Sequence, residues 1–106
     1  MWTEPEHVST LTIPEPVPFY CQLDEDHFFL WLQEIEGVKE VRGLPAGLTV
    51  YLSVSILSDS ALRDLIGLLF RYDVPMSFLR SQLTPGNEHW FMDSEAFWYE
   101  KIFVDA

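Results

Sequence analysis

The sequence predicts an α+β domain: a small antiparallel sheet with a hairpin, packed on one side by three or four helices. Three observations carry this. Over 48–56, Leu48, Val50, Leu52, Val54 and Ile56 alternate with Thr49, Tyr51, Ser53 and Ser55, the pattern of a strand with one buried and one polar face. Two apolar sets, Phe28/Trp31/Leu32/Ile35 and Leu62/Leu65/Ile66/Leu69/Tyr72, recur at helical spacing. A Gly- and Pro-containing stretch at 43–47 separates two strand-like runs and reads as a hairpin turn.

In chain order, residues 1–18 form a loose lead-in, because Pro5, Pro14, Pro16 and Pro18 remove backbone donors and disfavour helix. Within it, 10–13 suits a brief extended piece, and 19–21 reads as a short strand entering the core. A first helix starts at Asp24 as N-cap, with Glu25 and Asp26 at the positive end of its dipole, and Gly37 stops it. A strand over 38–42, the turn and the 48–56 strand follow. Ser58 or Ser60 caps the next helix, which places Ser60, Arg63, Asp64, Gly67 and Arg71 opposite its buried stripe and ends at Val74-Pro75. Pro75 opens a further helix with Met76, Leu79 and Leu83 inward, and 84–87 is a turn. Asp93 or Ser94 caps a short helix through Lys101, although 97–104 fits strand periodicity equally. The 106 residues form one domain, 1–106.

Charge separates function classes. The chain holds 17 acids and 6 bases, a net charge of −11. Residues 1–38 carry eight of the acids (Glu4, Glu6, Glu15, Asp24, Glu25, Asp26, Glu34, Glu36) and neither Lys nor Arg. Such a field repels phosphates and anionic lipid, which argues against nucleic-acid and membrane partners and favours a basic protein. Acidity for solubility alone is the competing reading. With 48% hydrophobic and 15% aromatic residues, the chain has the material for a core. Cys21 is the only cysteine and reads as a buried thiol in a reducing compartment. No apolar run is long enough to span a bilayer, and carboxylates stand where a secretion signal needs bases, so the expected location is cytoplasmic.

No motif carries chemistry. His27 beside Asp24, Glu25 and Asp26, and His89 after Glu88, lack zinc-ligand spacing, and the acidic triplet lacks the spaced ligands of a calcium loop. There is no GxSxG elbow and no glycine-rich phosphate loop. No cofactor, metal or catalytic residue is therefore expected. Arg63, Arg71 and Arg80 are expected to pair with neighbouring carboxylates. The candidate contact surface is the amino end and exposed side of the first helix, continuing into the next strand: Asp24, Glu25, Asp26, Glu34, Glu36 and Glu40.

Two segments, LRDLIGLLFRYDVPMSFLRSQL (62–83) and WFMDSEAFWYEKIF (90–103), resemble small bacterial immunity proteins of polymorphic and contact-dependent growth-inhibition toxins. The resemblance implies a cytoplasmic antitoxin without catalysis that binds and neutralises one toxin domain; the charge makes a basic partner such as a nuclease the expected one, and a monomer or weak dimer is expected. The resemblance assigns no interface residue. Two other classes remain open: a small enzyme built on His27, His89 and nearby carboxylates, and an adaptor subunit contacting its partner through the aromatic tail.

Overall fold

The computed structural model describes residues 3–105. Strand β1 (Ser9–Ile13) comes from the lead-in, followed by helix α1 (Gln22–Glu34), strands β2 (Val38–Leu44) and β3 (Gly47–Leu52), and helix α2 (Asp59–Arg71). A 3₁₀ helix (Ser77–Gln82), the short helix α3 (Glu88–Phe91) and a π-helical turn (Glu100–Val104) complete the chain. The expected α+β fold is the one observed. Its sheet has three antiparallel strands in the order β1-β3-β2. The first two residues of the lead-in lie outside the described residues.

The sheet corrects two sequence expectations. The long strand stops at Leu52 rather than 56, because its partners stop there: Ser9 and Val38 both pair with Leu52. Beyond it Ser53 N–H donates to Gly37 O at 2.8 Å and Ser9 Oγ donates to Val54 O at 2.7 Å, so the chain turns away. Nor does β3 show a solvated face, since all six residues are buried. Its alternation sorts side chains as expected, with Leu48, Val50 and Leu52 joining the hydrophobic core. The opposite face is shielded because β3 is central. Thr49 lies between Thr12 and Arg42, and Tyr51 between Thr10 and Glu40. The His7 ring then meets Tyr51 edge-on at 5.0 Å, leaving Tyr51 3% exposed.

Residues 19–21 form no strand. Phe19 packs against Phe28 and Tyr72, at ring separations of 5.2 and 6.0 Å. Tyr20 is 91% exposed, and Cys21 is exposed instead of buried. Pro14, Pro16 and Pro18 remove donors immediately before this segment and α1 begins immediately after it at Gln22, which leaves no length for a strand. Helix α1 begins two residues before Asp24, with Cys21 at the cap in an extended conformation. Asp24 serves the start from inside the first turn: its Oδ2 accepts Tyr20 N–H at 3.1 Å, a carboxylate reaching back as in a capping box.

Helix α2 is capped by Ser58, whose Oγ accepts Ala61 N–H at 3.1 Å. It ends before Val74-Pro75, because Asp73 turns left-handed at φ +55. Asp73 N–H then donates to Phe70 O and Val74 N–H to Leu69 O, the paired bonds of a Schellman terminus. In the tail, 97–104 adopts helical turns rather than strand. Trp90, Phe91, Trp98 and Ile102 fold into the same core as Phe28, Leu32, Leu62 and Leu65.

Candidate functional site

The six candidate carboxylates diverge once α1 forms. Successive helical residues are turned by about 100°, so neighbours in sequence face different surroundings. Asp24 is half-buried and committed to structure: besides holding Tyr20 N–H, its backbone carbonyl accepts the Tyr72 hydroxyl at 3.1 Å. Burial, then a side-chain hydrogen bond with Asp24 and the Asp24 charge, push the Tyr72 phenol above its ordinary pKa. Glu25 faces a cleft toward the hairpin, while Asp26 stands on the outer side and accepts from Gln22 Nε2 at 2.9 Å. Glu34 closes the helix, and exposed Glu36 follows it. Glu40 belongs elsewhere: it sits on the outer face of the sheet, ion-paired with Arg42 and beside Tyr51. Burial raises the Tyr51 pKa, and the charges of Glu4 and Glu40 raise it further.

Asp26 and Glu34 therefore remain together on one exposed surface, about 12 Å apart along α1. The sequence reading missed the apolar residues on this surface. Leu23 is 66% and Leu30 54% exposed, and both lie on the stripe that carries Asp26, His27 and Glu34 at helical spacing. Helix α1 thus presents apolar residues on two faces: Phe28 and Leu32 inward, Leu23 and Leu30 outward. The signal was available in the sequence, since Leu23 and Leu30 fall seven residues apart and outside the buried stripe. Half-buried Trp31 of α1 and exposed Asp64 of α2 join His27, Leu30 and Glu34 around a shallow depression.

No Lys or Arg is ion-paired with Asp26, Glu34 or Asp64 among the described residues. Among the described residues the ion pairs are His7–Glu4, Arg42–Glu40 and Lys101–Asp73. The expected pairing of Arg63 and Arg80 with carboxylates is not what forms. The Arg63 guanidinium lies 4.0 Å from the Trp90 ring centroid, and Arg80 donates to the backbone carbonyls of Ile102 and Asp105. Both choices bring a cation to groups buried or ordered by the tail, where the planar fork is best used. Arg71 lines a cleft with Tyr20, Asp24 and Asp73. Glu34 and Glu36 also stand at the negative end of the α1 dipole, with no base in the last turn. Carboxylates there oppose the dipole by about 0.3–1 kcal/mol each.

His27 and His89 are exposed. The histidine at hydrogen-bonding distance from a carboxylate is His7, whose Nε2 lies 3.2 Å from Glu4 Oε1 and whose Nδ1 lies 2.7 Å from Pro5 O. These contacts, both within the lead-in, accompany the edge-on packing of the ring on Tyr51. Among the described residues no group of three His, Cys, Asp or Glu side chains is placed to hold a metal, and no helix is long and apolar enough to cross a membrane. In the tail, Trp90 and Trp98 are buried, and exposed Phe97 meets Phe70 edge-on at 4.7 Å. Comparison with family models, curated proteins and solved structures gave no match to this chain.

Proposed function

We propose that the protein is an immunity-type inhibitor that binds and neutralises a basic cognate toxin, of which a nuclease is the fitting kind. The observation that carries this reading is the outward face of α1. Exposed Leu30 stands between Asp26 and Glu34 on this stripe, exposed Leu23 lies a turn before Asp26, and no Lys or Arg is ion-paired with these carboxylates among the described residues. Apolar anchors inside a charged rim are the anatomy of a protein interface. A rim of one sign also steers an oppositely charged partner into contact. A nuclease cleft is basic because it holds phosphate, and carboxylates occupy it in phosphate's place. The likeness of 62–83 and 90–103 to bacterial immunity proteins supports the same reading. In it the protein is cytoplasmic, acts without catalysis and works as a monomer or weak dimer.

The test is co-expression with the product of the neighbouring gene, followed by binding kinetics. The wild-type chain rescues growth. Asp26→Lys with Glu34→Lys slows association by about 10- to 100-fold at low salt, and the difference shrinks as salt rises. Leu30→Ser chiefly speeds dissociation. Asp24 stays untouched, because its carboxylate holds the start of α1. Rescue of no cell, or association kinetics indifferent to both charge reversals, rules the reading out.

A further inference from the structure

Between the 15–19 segment, α1 and the β2–β3 hairpin lies a cleft of about 410 Å³. Pro16, Phe19, Phe29, Val41 and Leu48 supply apolar walls, and Glu15 and Glu25 line it from the lead-in and from α1. Among the described residues no Lys or Arg lines it, and Lys39, at the bulge of β2, lines a separate cleft with Glu6 and His7. Val41 and Gly43 of β2 line the cleft, while Glu40 and Arg42 occupy the other face of that strand. Neither Glu15 nor half-buried Glu25 has an ion-pair partner among the described residues. Exposed Glu15 and half-buried Glu25 thus set two like charges beside an apolar wall. A guest with an apolar stem and a cationic head answers both demands. Of the two natural candidates, arginine fits better than lysine: its planar guanidinium stacks on aromatic faces and its fork serves two carboxylates.

We propose that this cleft is a receptor for an arginine side chain of the basic partner, which Glu15 and Glu25 hold by its guanidinium while Phe19 and Phe29 flank the stem. The proposal rests on the reading of the protein as a binder of a basic protein, but its test needs no toxin. ¹⁵N-labelled protein is titrated with N-acetyl-arginine-N-methylamide and with the citrulline analogue, which has nearly the same shape and no charge. The expected result is amide shifts at Val41, Gly43 and Leu48, and binding of the arginine compound at least about tenfold tighter. Glu15→Gln with Glu25→Gln removes that preference while leaving the dispersed spectrum of the folded protein. Equal binding of the two compounds, shifts centred elsewhere, or a preference that survives the double variant overturns the proposal. Any of these leaves the α1 surface to be judged by the rescue experiment. A positive titration without rescue keeps the arginine site and discards the toxin reading.

Discussion

The side-chain carbonyl of Gln82 accepts the backbone N–H of Leu57 at 2.8 Å, and both residues are buried. This bond ties the segment leaving the sheet to the 3₁₀ helix. Asn87 extends the connection, donating from Nδ2 to Gln82 O at 2.7 Å and accepting Thr84 N–H on Oδ1 at 2.8 Å. Gln82→Met keeps the side-chain length and removes the acceptor, so the Leu57 N–H is left buried and unpaired. The expected loss is about 1–3 kcal/mol of unfolding free energy, read from urea denaturation.

Two tryptophans of equal burial separate hydrogen bonding from packing. Trp98 Nε1 donates to Phe91 O at 2.8 Å, whereas Trp90 Nε1 is buried without a partner among the described residues. Trp98→Phe is expected to cost about 1–3 kcal/mol beyond the change in packing. Trp90→Phe loses no hydrogen bond and keeps a ring for Arg63, so its denaturation midpoint falls less.

Glycines at two positions have opposite meanings. A Cβ on Gly67 of α2 meets Trp31 Cζ2 at 3.7 Å, an ordinary contact, so Gly67→Ala is expected to stabilise by about 0.5–1 kcal/mol through helix propensity. A Cβ on Gly47 falls 2.6 Å from Ile13 O, and its φ is +131. Gly47→Ala therefore strains the backbone by about 1–3 kcal/mol and presses β3 away from β1. Thermal melts of the two variants should move in opposite directions.

The Asp73 carboxylate accepts Lys101 Nζ at 2.8 Å, and that hydrogen bond and charge hold its pKa below the ordinary carboxylate value. A depressed folded pKa means that the pair stabilises the protein above the unfolded-state value. The contribution disappears as pH falls through the lower folded value. Asp73 is exposed, so the effect is small and screened by salt. Asn tolerates the left-handed backbone at this position. Asp73→Asn is thus expected to lower the urea midpoint slightly at neutral pH, with the two curves converging in acid and in high salt.

Periodicity explains how much of the molecule was readable in its sequence. The alternation around Val50 and the spacing of Leu62, Leu65 and Ile66 are local, and both elements formed, although β3 stops at Leu52 where its partner strands end. Burial of Thr49 and Tyr51 was hidden because it comes from neighbours far along the chain: Thr10 and Thr12 on one side, Glu40 and Arg42 on the other. The cap at Cys21 was hidden because Asp24 stabilises the helix start by reaching backward rather than by standing at it. The same geometry dispersed the candidate site. Asp24, Glu25 and Asp26 are consecutive, yet one secures the fold, one lines a cleft and one faces solvent. Leu23 and Leu30 were overlooked because attention to charge passed over apolar residues outside the buried stripe.

The position of β1 also bears on how the chain assembles. Ser9 pairs with Leu52 and Ile13 with Leu48, so β1 has a partner that is synthesised only after α1 and β2. The β2–β3 hairpin closes over a two-residue turn and forms quickly, whereas docking β1 requires closure of a long loop. Until that step β3 carries one open edge, and the strand awaiting it, STLTI, has no charge to deter a foreign chain. On a ribosome this interval is when the nascent polypeptide is most exposed to mispairing with its neighbours.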